Sequence, residues 1–215
     1  MKTIEFEILR SRIEEEQEPV WRGYAVPGVD KTTILGALLY VQEHVDPSLA
    51  FRYGCRYKCC GLCAVEADGR PCLACHTYLR DGMRIAPLSN LPVVRDLVTD
   101  RSALFSKLRK YEIYFDGAAD DNMHFRESET GARLRACTEC LACMATCPEY
   151  GKGQDDFAGP FFFVKLAQLD LDPRDQGNRI QQAKKLGLEK CRDCAGGCRC
   201  LNGIDVFRTI RSMLK

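Results

Sequence analysis

Residues 137 to 150, "CTECLACMATCPEY", set Cys137, Cys140, Cys143 and Cys147 at intervals of three, three and four, with Pro148 directly behind the last. Thiols on that ruler point to an iron–sulfur centre. Three thiolates along a helical turn reach three irons of one [4Fe-4S] cube, and the fourth, a turn further on, points to a neighbouring cluster. Pro148 turns the chain outward where a helix could not continue. With Cys147 committed elsewhere, the run needs ligands from another segment. "CRDCAGGCRC" can supply them with Cys191, Cys194, Cys198 and Cys200. Earlier in the chain, "CRYKCCGLC" places Cys55, Cys60 and Cys63 with four and then two residues between them, and Cys75 further on. That is the plant-type spacing of a [2Fe-2S] cluster. Gly54 and Gly61 suit a loop whose amides must turn toward anionic sulfur. Cys59 and Cys72 are surplus by spacing and read as small buried hydrophobes.

Zinc is the competing use of paired thiols, but zinc sites favour separated CxxC pairs over unbroken runs of this kind. Disulfide redox catalysis lacks a surrounding βαβ pattern. The chain carries 14 cysteines in 215 residues, all within the three clumps. A disulfide scaffold would be denser in cysteine and shorter. A net charge of +1, from 31 Lys and Arg against 30 Asp and Glu, excludes an electrostatic case for nucleic acid. The opening "MKTIEFEILRSRIEEEQE" lacks the apolar core of a secretory signal, so a cytoplasmic location is expected. No apolar stretch reaches the length needed to span a bilayer, "AGPFFFVKLAQL" being short and broken by Lys165.

The elements that must carry these thiols can be read in outline. "TIEFEILR" alternates Ile4, Phe6 and Ile8 with polar residues and predicts a half-buried strand, with "VWRGYAV" returning as its partner around the charged loop "RIEEEQE". "DKTTILGALLYVQEHV" predicts a helix with Asp30 as N-cap, packing on the strands. The segment "GYAVPGVDKT" is no phosphate loop, because Lys31 does not directly follow Gly28. "AVEADGRPCLAC" predicts two short strands around Asp68-Gly69. From "LPVVRDLVTDRSALFSKLRKY" onward the periodicity turns helical. The expected architecture is α+β: a first domain over residues 1–105, a linker over 106–125, and an all-α domain over 126–215. In the last helix, Phe207, Ile210 and Leu214 are expected to share the buried face.

In order along the chain, "TTILGALLYVQEHVDPSLAFRYGCRYKCCGLCAV", "GRPCLACHT", "IAPLSNLPVVRDLVTDR", "CTECLACMATCPEY" and "GPFFFVKLAQLDLDPRD" resemble the iron–sulfur subunit of succinate dehydrogenase and fumarate reductase over nearly the full length. The resemblance implies a plant-type [2Fe-2S] ferredoxin domain of β-grasp type, then a helical domain like the bacterial ferredoxins. It also implies electron relay between an FAD-containing dehydrogenase or reductase subunit and a membrane quinone. A membrane-anchor or other electron-exchanging subunit would then hold the chain at the inner face of the cytoplasmic membrane. No catalytic residue is expected in this chain, since no triad, phosphate loop or dinucleotide fingerprint is present.

Carried over by matched position, Cys55, Cys60, Cys63 and Cys75 bind one [2Fe-2S] cluster, and Cys137, Cys140 and Cys143 bind three irons of one [4Fe-4S] cube. Counting back from "GIDV", Cys200 completes the cube, with Leu201 where the family has proline; Cys198 is the alternative. Cys191 and Cys198 then join Cys147 in a third centre. Cys194 stands where the usual member has no cysteine and a [3Fe-4S] cluster, which favours a second [4Fe-4S] here. The family's quinone pocket draws on a tryptophan after the CPxY segment and a histidine after the first thiol of the third clump. Here "CPEYGKGQ" has no tryptophan, Arg192 follows Cys191, and the sole tryptophan is Trp21. Arg192 is expected to be solvated or salt-bridged. The alternative function is therefore the same relay serving another flavoprotein, or a heterodisulfide-reductase-like partner, without quinone. His44, His76 and His124 show no ligand pairing.

Overall fold

A computed structural model describes residues 2–11, 18–28, 31–117, 126–153 and 156–214. The chain divides into two compact units, Met1–Asp100 with Thr138–Ala142, and Arg101–Cys137 with Cys143–Lys215.

In the first unit, β1 (Lys2–Arg10) and β2 (Val20–Gly28) pair antiparallel from Lys2 opposite Gly28 to Arg10 opposite Val20. The alternation expected of β1 holds where it matters, with Phe6 and Ile8 buried. The strands β3 (Ala64–Ala67) and β4 (Arg70–Leu73) form the expected hairpin, and both turn residues, Asp68 (φ 50°) and Gly69 (φ 71°), are left-handed as a tight hairpin requires. Between the two hairpins lies β5 (Met83–Ala86), parallel to β1 and antiparallel to β3, so the sheet runs β2-β1-β5-β3-β4. The helix α1 (Ile34–His44) buries Ile34, Leu35, Leu38 and Val41. Its cap is Thr33, whose side chain accepts from the Gly36 amide at 3.1 Å, and not Asp30, which lies outside the described residues. Residues 12–17 of the charged loop, and His124, lie outside them too.

The helical reading of residues 91–101 is overturned. Val93–Arg95 (β6) and Val98–Thr99 (β7) pair as a small hairpin, and the helix α2 begins only at Ser102, running to Lys110. The reason is Asp96, left-handed at φ 47° and fully buried. Its carboxylate accepts from Arg10 Nε at 2.9 Å, from the Ala50 amide at 2.9 Å and from the Ser11 amide at 3.1 Å. Arg10 also bonds Asp46 and Tyr24 through Nη1, and Ser48 at 3.0 Å through Nη2. A tertiary ion pair thus sets the turn against the local apolar period. The β6–β7 hairpin in turn holds the approach to the first cysteines, with Arg52 donating to the Thr99 carbonyl at 2.9 Å.

The second unit is helical: α2, then α3 (Glu129–Arg135), α4 (Ala142–Ala145, at the division between the units), α5 (Pro160–Asp170), α6 (Arg179–Lys185) and α7 (Val206–Ser212). Its centre is α5, which buries Phe161, Phe162, Phe163, Val164 and Leu166 and packs against α3, α6 and α7. A helix apolar on this many faces can only be central. On α7 the buried residues are Val206 and Ile210, followed by Met213, while Phe207 and Leu214 are half-exposed; the expected face is turned by about one residue. Arg179 and Asp175 form a buried pair at 2.7 Å, and Arg179 also donates to the Tyr114 carbonyl at 2.8 Å. The chain after α2 is thereby tied to the start of α6. Among the described residues, no helix is long and apolar enough to cross a membrane.

Candidate iron–sulfur sites

Among the described residues, no three of His, Cys, Asp or Glu gather tightly enough to hold a single metal ion. The thiols stand in looser sets.

The first set is a loop wound around sulfur. Cys55 Sγ accepts from the amides of Tyr57, Cys59 and Cys60, each at 3.3 Å, and Cys60 Sγ accepts from the Cys55 amide at 3.4 Å. Left-handed residues at Arg56 (φ 61°), Lys58 (φ 62°) and Gly61 (φ 67°) interrupt the loop and turn successive N–H groups inward, the arrangement of an anion nest. These amides, Tyr57 first, pull the Cys55 thiol down to about 7, favouring the thiolate that binds metal. Cys63 is buried, and burial pushes its thiol up to about 12. Cys75 faces it from the β3–β4 hairpin, where the Ala74 amide donates to the Cys63 carbonyl at 2.9 Å. The hairpin end is held in turn by α1, whose Leu35 amide donates to the Ala74 carbonyl at 2.9 Å. Amides aimed at thiolate sulfur, with a fourth thiol delivered from a neighbouring hairpin, fit a [2Fe-2S] cluster. Cys72 is part-buried on β4, where burial raises its thiol pKa, as suits a packing residue. Cys59 is exposed, contrary to the expectation of burial, and its thiol donates to the Tyr57 carbonyl at 3.0 Å.

The run of residues 137–143 is not one helical turn, as its spacing suggested. Only Cys143 lies in α4; Glu139 (φ 56°) and Leu141 (φ 67°) are left-handed on either side of Cys140. The alternation of the first loop is therefore repeated. Bulky residues in this region of φ carry no sequence signal, which is why glycine positions alone could not reveal these turns. At Gly61, however, the requirement is for glycine: a Cβ there would stand 2.7 Å from the Thr138 carbonyl oxygen and 2.8 Å from Cys140 Cβ. Gly61→Ala is expected to lower stability by about 1–3 kcal/mol and to reduce [2Fe-2S] content, measured by denaturant unfolding and iron analysis.

The third set lies wholly in the second unit. Cys147 is buried, shares a hydrogen bond with the Cys198 thiol and accepts from the Tyr150 amide at 3.5 Å; the Cys198 bond above all pulls its thiol down to about 7. Cys191 is buried beside Cys147 and Cys194, and burial pushes its thiol up to about 12. Cys198, next to Cys147, also feels Cys143 and Cys191, and its thiol is strongly raised. Cys147, Cys191, Cys194 and Cys198 are thus brought together. The seam is backbone-tight: the Arg199 amide donates to Thr146 Oγ1 at 2.9 Å, and a Cβ on Gly197 (φ 136°) would meet the Thr146 carbonyl oxygen at 3.2 Å and Pro148 Cδ at 3.7 Å. Pro148 therefore serves as a packing surface for the third clump as well as a stop after α4. Cys200 Sγ accepts from the Asn202 amide at 3.4 Å. Arg192 pairs with Glu189 at 2.5 Å on the surface, as expected of a salt-bridged arginine.

Known proteins resemble this chain in both sequence and fold. A family model described as a 2Fe-2S iron-sulfur cluster binding domain matches residues 5–106. The fumarate reductase iron-sulfur subunit of Haemophilus influenzae is 35% identical over 212 residues, covering 89% of this chain and 81% of that subunit. A fumarate reductase (CoM/CoB) subunit from Methanothermobacter marburgensis is 32% identical over 197 residues, covering 91% of this chain and 40% of the relative. The chain therefore spans less than half the length of that relative. Among solved structures, a chain of the Mycobacterium smegmatis Sdh1 complex in the apo form superposes with a TM-score of 0.85 at 26% identity, covering 99% of this chain and 94% of that one. With a ferredoxin-like sheet domain, a helical domain and these relatives, the chain belongs to the family of iron–sulfur subunits of fumarate reductase and succinate dehydrogenase.

Proposed function

We propose that this chain relays single electrons between an FAD-containing subunit and a second partner, and carries out no organic chemistry itself. Iron–sulfur clusters, when bound, supply one-electron chemistry while the flavin handles the two-electron step. In this reading Cys55, Cys60, Cys63 and Cys75 hold the [2Fe-2S] cluster, and Cys137, Cys140, Cys143 and Cys200 hold a [4Fe-4S] cube. Cys147, Cys191, Cys194 and Cys198 hold a second [4Fe-4S]. The observation that carries it is the inward turn of backbone amides onto Cys55, joined to the gathering of four thiols around Cys147. Cys198 beside Cys147 and Cys191 supports its place in the second centre; its proximity to Cys143 is the one contact favouring exchange with Cys200. Attachment to a membrane would come through a partner subunit.

Isolation of the native complex tests the relay. A flavoprotein should copurify, and succinate should reduce a dye through it; a purified assembly without flavin would overturn the reading. Cys194→Ala tests the cluster type. The variant is expected to lose about one iron per chain and to gain the oxidised-state paramagnetism of a three-iron cluster. Unchanged iron and an unchanged oxidised spectrum would remove Cys194 from the ligand set.

A second reading, in which the electron partner is not a quinone, draws on Arg192. It is paired with Glu189 where the family resemblance implies a histidine, and the tryptophan after "CPEY" is missing. One relative is named for CoM/CoB. Dye reduction without quinone reduction by the membrane-bound complex favours this second reading.

A further inference from the structure

The side chain of Thr138 follows Cys137, and its hydroxyl is buried with no hydrogen-bond partner among the described residues. The same hydroxyl lies 2.9 Å from the point where a Cβ on Gly61 would stand. Gly61 sits between Cys60 and Cys63, so this oxygen is wedged between two cysteine loops within the first unit. A buried hydroxyl without an acceptor is destabilising, because it has given up its hydrogen bonds to water. Valine has the same shape and would fill the position without that cost. The hydroxyl makes chemical sense if an acceptor arrives that the protein atoms do not provide. Sulfur is at hand on both loops: Cys60 adjoins Gly61, and Cys140 Cβ lies 2.8 Å from the same point that the hydroxyl approaches.

We propose that Thr138 donates an O–H···S hydrogen bond to an anionic sulfur of an iron–sulfur centre and so raises that centre's reduction potential. The inference rests on the cluster assignment above. The sign follows from charge: one-electron reduction adds negative charge to the sulfurs, so a fixed donor stabilises the reduced form more than the oxidised one. The sulfur could belong to the centre held by the first loop or to the one held by the run of residues 137–143, and the experiment separates the two.

The test uses the purified complex, with iron and acid-labile sulfide measured first. Paramagnetic resonance then follows the reduction of each centre by its own signal in the wild type, Thr138→Val and Thr138→Ser. In Thr138→Val one centre should show about a tenfold lower ratio of reduced to oxidised form at a fixed potential. For a one-electron couple that is a downward shift of about 59 mV. Thr138→Ser, which keeps the hydroxyl, should return the midpoint toward the wild-type value, and the signal that moves identifies which centre receives the bond. Full iron content with both midpoints unmoved in Thr138→Val overturns the inference, all the more if that variant melts at a higher temperature, as removal of a merely unsatisfied hydroxyl would produce. Absence of iron and sulfide in the wild type would sink the cluster reading itself. Should Thr138→Val load poorly, Thr138→Ala carries the same comparison.

Discussion

Cys147→Ala is expected to abolish the third centre and leave the other two in place. Iron analysis should fall by about four atoms per chain, and the [2Fe-2S] signal should persist. The size of the effect follows from the position of this thiol. Cys147 is buried, pairs with Cys198 and stands beside Cys191, so it is the hub of its set. No spare thiol can replace it from its own segment: α4 ends at Ala145, and Thr146 and Pro148 are held against Arg199 and Gly197. Loss of [2Fe-2S] in the same variant would mean that the sets do not load independently. Retention of all the iron would remove Cys147 from the ligands.

Arg10→Met is expected to lower the unfolding free energy by about 3–5 kcal/mol, read from urea unfolding. Arg10 is buried, and its removal leaves the Asp96 carboxylate, fully buried, without its 2.9 Å partner. The double variant Arg10→Met, Asp96→Leu should recover part of the loss, because it also removes the stranded charge. The acid limb carries a second signature. Ser48 foremost, with Arg10 and Tyr24, holds the Asp46 carboxyl well below the usual carboxylate range. A depressed folded value means that this stability is present above the unfolded value near pH 4 and is lost as pH falls through the folded one. In Arg10→Met that acid-side loss should be smaller and be complete at a higher pH. An Arg10→Met variant as stable as wild type would show that solvent or rearrangement satisfies Asp96 and that the ion pair is not what holds β1 to the β6–β7 turn.

Legibility in the sequence followed the range of the forces involved. Period-two alternation in β1 and the Asp68-Gly69 turn are local, and both are where the pattern predicted them. The thiol spacings are local too, and they mark out the loop around Cys55 and the thiols that gather around Cys147. What escaped was set from a distance. The strand β5 is four residues long, too short for a period, and exists because β1 and β3 lie on either side of it. The apolar residues of the segment 91–99 read as helix until Arg10, far back in the chain, captures Asp96. On α7 the difference was one of phase, since Phe207 is drawn off the core to lie against Gly196, with Arg211 over its ring at 5.2 Å. The pairing of Cys198 with Cys147 goes with the close approach of Gly197 to the Thr146 carbonyl, a backbone seam that composition cannot express.

Unequal shelter among the thiols sets an order of decay. In the isolated chain, Cys55 and Cys59 lie in a loop open to solvent, while Cys147 and Cys191 lie under protein. Oxygen and chelators diffusing in from water would meet the outer loop long before they reached the interior, so the protein should bleach in stages, beginning at the end where its amides are most exposed.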